Sequence, residues 1–500
     1  MTEQEKEVKK SDETTPPAPK DVLVETKHSL TINGQEIHYT VTCGTIVLKE
    51  EAEKKGEKEG ESEGEKPRAS IFFVAYTRDD VEEKHQRPLT FSFNGGPGSS
   101  SVWLHLGLLG PRRVLLDDNG FAYPPPYKLV DNAFSLLDLT DLVFIDPVST
   151  GFSRAVPGEK SKQFHGFKKD IESVGDFIRL YTTRYQRWTS PKFLIGESYG
   201  TTRAAGLSGY LQGRHGMYMN GIMLISSILN FETTHFNIGN DLPYILFLPT
   251  YTATAWFHHR LSDKLQQDLY ATLAEVENFA MGEYADALMQ GDDLPEEGRR
   301  RIARKLARYT GLSEDYIERT NLRIEIFRFT KELLRHAKRT VGRIDSRFKG
   351  IDRDSAGEHF EFDPSMSNTN GPYTATLNDY VRGELKFESD LPYEILSERV
   401  YPWSFAEFEN EYVNVAETLR KAMTTNPNLK VYVANGYFDL ATPYLATRYT
   451  FKHLGLDKTL LDNLRMGFFE AGHMMYIHIP SLAKLKGELV DFINWAIPEA

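Results

Sequence analysis

The feature that most constrains this chain is a succession of short apolar runs, each bounded by turn residues. The runs are LTFSFNGG, DLVFIDP, KFLIGESYG, GIMLISS, KVYVANG and MGFFEAGH. Most are nearly continuous rather than alternating, which is typical of parallel strands covered on both faces. Helical patterns such as DIESVGDFIRLYTTRY and TTRAAGLSGYLQGR separate them. The sequence therefore predicts an α/β fold with a mostly parallel, doubly wound sheet.

Three segments depart from this alternation. Residues 1–27 are polar, charged and Pro-containing, which predicts a disordered tail. Residues 49–67 are almost entirely charged or Gly and predict a solvated hairpin loop between two strands. Residues 233–375 are helix-rich and charged, and predict a helical insertion, or cap, over the C-terminal edge of the sheet. The core is then expected to comprise residues 28–232 and 376–500.

One helix of the insertion is delimited by its own sequence. Ile302, Leu306 and Tyr309 fall on a single helical face. Gly311 is suited to the left-handed position that ends a helix, and Ser313 is suited to begin the next one. The sequence thus predicts two consecutive helices that meet between these residues.

Composition excludes several classes of partner. The formal net charge is −12, and Lys and Arg are interspersed with acids, so we expect no nucleic-acid partner. No run approaches the roughly 20 apolar residues of a membrane span, so we expect no membrane partner. Cys43 is the only cysteine, which excludes an intrachain disulfide. The N-terminus lacks the apolar run of a secretory signal, so we expect a cytoplasmic protein, or a secreted or periplasmic one if a leader was removed.

The strongest chemical signal is the pentapeptide GESYG at residues 196–200, between the strand pattern KFLI and the helix pattern TTRAAG. A G-x-S-x-G sequence at such a turn holds its serine in a strained backbone with the hydroxyl above the sheet, as in the α/β-hydrolase fold. The N-terminus of the following helix favours the negative charge that develops during acyl transfer. Ser198 is therefore the predicted nucleophile.

A nucleophilic serine needs a base, and the base needs an acid to orient it. In α/β-hydrolases the chain order is serine, acid, histidine. Asp439 follows the strand pattern KVYVANG, and His473 follows MGFFEAG at the end of a later strand. We predict His473 as the base and Asp439 as its orienting acid, although position alone also permits Asp439 to be an ordinary turn residue.

An oxyanion hole requires two backbone N–H groups near the nucleophile, one of them from the next residue. Tyr199 supplies the first. The glycine-rich segment FNGGPGSSS, which follows an early strand, is the natural source of the second, with Gly96 as the expected donor.

Five segments together resemble the serine carboxypeptidase family, particularly its bacterial members, from about residue 70 onward. They are FNGGPGSSS, VFIDPVSTGFSR, FLIGESYGTTRAAG, NGYFD and FEAGHMM. The resemblance implies the α/β-hydrolase fold and a catalytic triad of Ser198, Asp439 and His473.

The resemblance also implies a clamp for a peptide substrate with a free C-terminus. Asn94 and Glu197, with the Gly95 backbone, match the family residues that bind the C-terminal carboxylate. One family carboxylate is missing, because Leu108 stands where eukaryotic members carry a further glutamate before Gly110. Family disulfides are also impossible here.

These observations predict a serine-type carboxypeptidase that works through an acyl-enzyme, with no metal or organic cofactor. An acyltransferase, or an esterase or amidase, would use the same triad, because these activities differ in what attacks the acyl-enzyme and in which substrate is bound. An inactive binding protein on a hydrolase scaffold is a third alternative.

Overall fold

The computed structural model describes residues 19–53 and 60–497. The strands of this part are β1 (Val22–Ile32), β2 (Gln35–Glu53), β3 (Ser62–Arg78), β4 (Leu89–Phe93), β5 (Arg112–Val114), β6 (Leu129–Asp131), β7 (Asp141–Ile145), β8 (Arg154–Ala155), β9 (Lys192–Glu197), β10 (Gly221–Ile225), β11 (Thr340–Val341), β12 (Lys349–Gly350), β13 (Lys430–Gly436) and β14 (Leu464–Phe469). The α-helices are α1 (Val102–Leu104), α2 (Phe167–Arg184), α3 (Tyr199–His215), α4 (Leu242–Phe257), α5 (Asp263–Gln266), α6 (Leu269–Phe279), α7 (Ala285–Gln290), α8 (Glu296–Thr310), α9 (Glu314–Arg319), α10 (Ile326–Glu332), α11 (Pro364–Gly383), α12 (Ala416–Thr425), α13 (Tyr444–Lys452) and α14 (Ile479–Ala496).

One large sheet organises these elements. Its strand order is β1-β2-β3-β7-β4-β9-β10-β13-β14, with β8 paired to β3. Neighbours are parallel from β7 through β14. The strands β1, β2 and β3 are antiparallel to one another, and β3 joins β7 in antiparallel fashion. The predicted α/β class with a mostly parallel sheet is confirmed, and the parallel strands are those that the short apolar runs indicated.

The central strands are buried on both faces, which explains their continuous apolar sequences. Every residue of β4, β7, β9 and β10 is buried. Along β9, Phe193 and Ile195 face an apolar cluster shared with α1, α11 and α14, whereas Leu194 faces a second cluster shared with α2, α3 and α12. Apolar burial contributes about 25 cal/mol per Å², so both helical layers are held to the sheet by the same strands.

The predicted tail at residues 1–27 is wrong at its C-terminal end. Residues 22–27 form the first half of β1, which pairs with β2 in antiparallel register from Val22 opposite Thr45. Backbone pairing to β2 orders this segment although most of its side chains are exposed. Residues 1–18 lie outside the described part of the chain.

The charged loop predicted at residues 49–67 is also wrong over much of its length. Strand β2 extends into this segment as far as Glu53, and β3 begins within it at Ser62. The register places Glu50 opposite Lys66, and Arg68 pairs with Glu50 at 3.3 Å. Backbone hydrogen bonds and cross-strand charge pairs extend the ribbon without an apolar face. Residues 54–59 of the predicted loop lie outside the described residues.

The insertion has an apolar core of its own. Helices α4 to α10 pack around a cluster separate from the two that flank the sheet. The helix boundaries predicted there are confirmed: Ile302, Leu306 and Tyr309 are buried on α8, and Gly311 ends it with a φ of 71°. The hydroxyl of Ser313 accepts a hydrogen bond from the first turn of α9. Of the helices described, none combines the length and apolar character needed to cross a bilayer.

The C-terminal boundary predicted for the insertion, at residue 375, falls inside a helix. Helix α11 runs continuously across it, and Tyr373 and Leu377 of that helix belong to a cluster beneath the sheet. The change from insertion to core therefore lies before α11, because the Tyr and Leu side chains on that helix are buried against core elements rather than against α4 to α10.

A buried ion pair connects the two helices beneath the central strands. Arg203 on α3 and Asp170 on α2 have exposed fractions of 1% and 2%. The guanidinium donates to both carboxylate oxygens, at 2.8 and 3.1 Å. Its remaining arm donates to the backbone carbonyl of Asn94. This pair therefore fixes the helix that follows Ser198 relative to the loop that follows β4.

Removing one member of this pair is expected to be costly. The variant Arg203→Met leaves the Asp170 carboxylate buried and uncompensated, so the free energy of unfolding should fall by about 3–5 kcal/mol. Urea denaturation measures the change. The double variant Arg203→Met/Asp170→Leu should recover much of the loss, whereas Arg420→Met, which disrupts an exposed pair with Glu417, should leave the midpoint nearly unchanged. Equal midpoints for the wild type and Arg203→Met would contradict the assignment.

Candidate active site

Ser198 lies at the sharp turn between β9 and α3. Its φ of 59° and ψ of −130° lie in a region that non-glycine residues rarely occupy. Its N–H donates to the carbonyl of Ile225 on β10 at 3.0 Å, and its carbonyl accepts from Thr201 at 2.8 Å. These bonds at both ends hold the strained residue in place, with its side chain partly exposed to a cavity.

Close backbone packing surrounds this turn. A Cβ atom at Gly196 would lie 2.1 Å from the carbonyl oxygen of Gly200, and one at Gly95 would lie 2.4 Å from the Tyr199 nitrogen. No side chain fits in either space. The glycine-rich loop after β4 and the serine turn after β9 are therefore in direct contact, as the oxyanion-hole prediction requires.

The two predicted donors of the oxyanion hole both border the cavity. Gly96 and Tyr199 line it together with Ser198. Gly96 has a φ of 100°, which favours glycine. Their role as oxyanion donors stays a prediction, and the side chain of Tyr199 is buried and stacks edge-on against Trp403.

Asp439 and His473 meet at the same edge of the sheet, after β13 and β14. The Nδ1–H of His473 donates to Asp439 Oδ2 at 2.7 Å. Asp439 is fully buried, and its other oxygen accepts from the backbone N–H groups of Ala441 and Thr442, at 2.8 and 3.0 Å. The Thr442 hydroxyl donates to Oδ2 at 2.7 Å. The carboxylate is thereby fixed in the position that orients the imidazole.

Electrostatics at His473 favour its protonated form. Burial alone acts to lower the pKa of the imidazole, but the Asp439 carboxylate, its hydrogen bond and the charge of Glu197 outweigh burial and raise it. The ring can therefore hold a proton received from a neighbouring hydroxyl.

The loop that carries His473 is anchored by the insertion as well as by the core. The His473 N–H donates to the carbonyl of Ile344 at 2.8 Å, and the Gly472 N–H donates to Asp345 at 3.1 Å. From the core, the Ser226 hydroxyl donates to the His473 carbonyl at 2.6 Å. The imidazole is thus positioned by residues far apart in sequence.

Asn94 and Glu197, the predicted carboxylate clamp, form one hydrogen-bonded unit. The Asn94 side-chain oxygen accepts from the Leu104 N–H at 3.1 Å, which turns its amide nitrogen towards Glu197. That nitrogen donates to Glu197 Oε2. Among the described residues Glu197 Oε1 has no hydrogen-bond partner, although it is buried.

Burial dominates the titration of Glu197. Desolvation raises the pKa of this carboxyl to about 7, against the opposing effects of His473, the Tyr476 hydroxyl and the Asn94 amide, while Asp439 adds to the rise. A carboxyl with this pKa carries a proton in about half of the molecules at neutral pH. The protonated oxygen is expected to be Oε1, because Oε2 already accepts from Asn94.

The absence of a second clamp carboxylate at Leu108 is accommodated by two tyrosines. Leu108 is fully buried in the apolar core. A Cβ atom at the neighbouring Gly107 would lie 2.4 Å from the Tyr476 ring and 2.7 Å from the Tyr373 hydroxyl, so both side chains fill the space beside this turn. Glu197 acts on the pKa of both tyrosines. Neither was predicted, since nothing in the segment around either tyrosine shows that it will lie near a buried carboxyl.

A single cavity of about 880 Å³ brings the predicted residues together. Asn94, Gly95, Gly96, Glu197, Ser198, Tyr199 and His473 line it. Asp439 lies behind His473. In the part of the chain described, Ser198 and His473 share no hydrogen bond. Such catalytic contacts are often long without substrate and shorten when it binds. Over residues 19–53 and 60–497, no group of three or more His, Cys, Asp or Glu is arranged to hold a metal ion.

The sheet order, the strained serine after β9 and the acid and histidine after β13 and β14 define a protein of the α/β-hydrolase class. A profile of the serine carboxypeptidase family matches residues 61–463. The chain belongs to the serine carboxypeptidase family.

Known proteins resemble parts of the chain. The pheromone-processing carboxypeptidase KEX1 of Saccharomyces cerevisiae is 35% identical over 135 residues, which are 26% of this chain and 17% of that protein. Serine carboxypeptidase-like 36 of Arabidopsis thaliana is 27% identical over 207 residues, 40% of this chain and 38% of that protein. The matches thus span well under half of these curated relatives. The crystal structure of KEX1(delta)p, a prohormone-processing carboxypeptidase from S. cerevisiae, superposes with a TM-score of 0.53 at 16% identity, covering 91% of each chain, and supports the fold.

The strained turn predicts selective chemical reactivity at one serine. A fluorophosphonate probe should label the wild-type protein covalently, because the predicted base and oxyanion donors line the same cavity as Ser198. The variant Ser198→Ala should not be labelled. Ser208→Ala, which removes a buried hydroxyl on the same helix, should be labelled at the wild-type rate. Peptide mapping by mass spectrometry identifies the modified residue, and label on any other serine would contradict the assignment.

Proposed function

We propose that this chain is a carboxypeptidase that releases the C-terminal residue of a peptide through an acyl-enzyme. The observation that carries the proposal is the Asn94–Glu197 unit, a buried carboxyl with an unpartnered oxygen and a raised pKa in the same cavity as Ser198. A neutral carboxyl can hydrogen-bond a substrate carboxylate without charge repulsion. Family membership supports the same activity.

The proposed mechanism assigns each group one task. Ser198 Oγ attacks the carbonyl carbon of the last peptide bond while His473 takes the hydroxyl proton. The backbone N–H groups of Gly96 and Tyr199 stabilise the oxyanion. As the C–N bond breaks, His473 gives its proton to the leaving amine, and the acyl group remains on Ser198. Water then attacks the ester with His473 again as base, which releases the shortened peptide.

The orientation of the base is expected to depend on Asp439. The side chain accepts from Nδ1–H, which leaves the other ring nitrogen free to accept the serine proton. An asparagine at this position presents an amide that favours the opposite tautomer.

Asp439→Asn should therefore lower kcat on the order of 10⁴-fold with little effect on KM. Steady-state hydrolysis of a blocked dipeptide measures both constants. Asp457→Asn, which alters an exposed acid on the next loop of the C-terminal segment, serves as the control and should retain wild-type kcat. A loss of less than tenfold in Asp439→Asn would remove the residue from the proposed triad.

The pH dependence of hydrolysis tests the clamp and with it the exopeptidase assignment. For a free-acid substrate, kcat/KM should fall as pH rises through about 7, because Glu197 then loses the proton that its carboxylate partner requires. On the acid side, kcat/KM should fall as His473 becomes protonated. Protonation of Glu197 removes one charge that raises the pKa of His473. Protonated Glu197 and neutral His473 therefore coexist over a narrow pH range, and kcat/KM should follow a narrow bell-shaped pH profile.

A C-terminal amide of the same peptide provides the matched comparison. It lacks the second carboxylate, so its kcat/KM should rise with pH and show no decline near 7. Glu197→Gln should remove only the alkaline decline of the free acid, since an amide donates a hydrogen bond at any pH. Identical profiles for acid and amide in the wild type would overturn the clamp and favour the esterase or amidase alternative.

A further inference from the structure

Arg343 lies in the insertion and reaches the wall of the cavity that contains Ser198 and His473. Its backbone is fixed on both sides. The N–H donates to Asp363 at 3.1 Å, and the carbonyl accepts from Leu440, the residue after Asp439, at 3.0 Å. The position of Arg343 is therefore tied to the same loop that holds the orienting acid.

Within residues 19–53 and 60–497, the guanidinium of Arg343 makes no hydrogen bond and no ion pair with the protein. Of the described residues that line the cavity, it is the only Lys or Arg. A half-buried guanidinium without a protein partner can bind an anionic ligand through charge-assisted hydrogen bonds.

The acids that line the same cavity are already engaged. Glu325 accepts from the backbone N–H groups of Phe327 and Arg328 at the start of α10, at 2.8 and 3.3 Å. Asp363 accepts from the N–H groups of Ser365 and Arg343. Burial raises the pKa of Glu197 to about 7, and its Oε2 accepts from Asn94. In the described part of the chain, none of the three forms an ion pair with the Arg343 guanidinium, which leaves it available to a carboxylate of the ligand.

The position of Arg343 relates it to the glycine-rich loop. Burial raises the pKa of Tyr401, and the Arg343 cation opposes that rise, which places the charge near this ring. The Tyr401 hydroxyl donates to the carbonyl of Pro97 at 3.2 Å, within the loop that also carries Asn94. Arg343 thus lines the same cavity as Tyr401 and the proposed clamp, and its charge also acts on His473.

We propose that Arg343 binds a carboxylate of the departing C-terminal residue and makes acidic residues preferred at that position. This inference rests on the proposed exopeptidase function. The carboxylate has two possible sources, the side chain of a C-terminal Glu or Asp and the main-chain terminus itself. A guanidinium forms charge-assisted hydrogen bonds with either one.

Three substrates distinguish these sources. They are N-blocked dipeptides with the same first residue, ending in Glu, in Gln, and in Gln amide. The kcat/KM ratio of Glu to Gln reports binding of the side-chain carboxylate, and the ratio of Gln to Gln amide reports binding of the main-chain carboxylate. Both ratios are measured for the wild type, for Arg343→Gln, and for Arg353→Gln, which removes the same charge from an exposed position of the insertion.

We expect the wild type to prefer Glu over Gln by about tenfold, the effect of one charge-assisted contact. Arg343→Gln should bring this ratio to within about twofold of unity, mainly through KM, whereas Arg353→Gln should keep it. If Arg343→Gln instead lowers only the ratio of free acid to amide, Arg343 binds the main-chain carboxylate and the proposed preference for acidic residues is overturned. If it changes neither ratio, the proposal is overturned.

Two measurements separate other causes of failure. Fluorophosphonate labelling at the wild-type rate shows that the site of Arg343→Gln is assembled. Should that variant not fold, both ratios are measured for the wild type at increasing ionic strength. The ratio that depends on the charge of Arg343 should shrink, because salt screens the contact, and the second ratio should not. If the wild type releases no C-terminal residue from either free acid, the proposed function fails, independently of the role of Arg343.

Discussion

The close contact between the glycine-rich loop after β4 and the serine turn after β9 determines the remainder of the site. Neither Gly95 nor Gly196 has room for a Cβ atom, so the two turns meet through their backbones. This contact brings N–H groups of both loops to one point and sets Asn94 against Glu197. The buried Arg203, which donates to the Asn94 carbonyl from α3, holds the contact from below. The strained backbone of Ser198 persists because the surrounding contacts hold it in this conformation.

Glu197 and His473 interact electrostatically, although the proposed mechanism assigns them different parts of the substrate. The charge of Glu197 raises the pKa of His473, and the charge of His473 lowers the pKa of Glu197. Burial strengthens both effects, because little solvent screens the charges. A proton on Glu197 eases the loss of a proton from His473. In the proposed mechanism, recognition of a C-terminal carboxylate and activation of the serine are therefore coupled electrostatically.

The sequence predicted those parts of the molecule that depend on local pattern. Continuous apolar runs identified the parallel strands, and the turn motifs after them identified Ser198, Asp439 and His473, which the fold brings to one edge. The β2–β3 ribbon was mistaken for a loop because cross-strand hydrogen bonding leaves no mark on composition. Tyr476 and Arg343 were not predicted for a related reason: their roles arise from what lies opposite them in space, and nothing in their own segments shows it.

The contacts of the His473 loop with Ile344 and Asp345 divide the insertion into parts of unequal freedom. Among the described residues, helices α7 to α9 pack only on the apolar core of the insertion, whereas Leu269 and Leu273 of α6 also pack against Phe438, next to Asp439. The stretch around β11 and β12 holds the other side, since it carries part of the scaffold of the imidazole. Transplanting the cap of another hydrolase onto this sheet would succeed only if the graft preserved both sets of contacts.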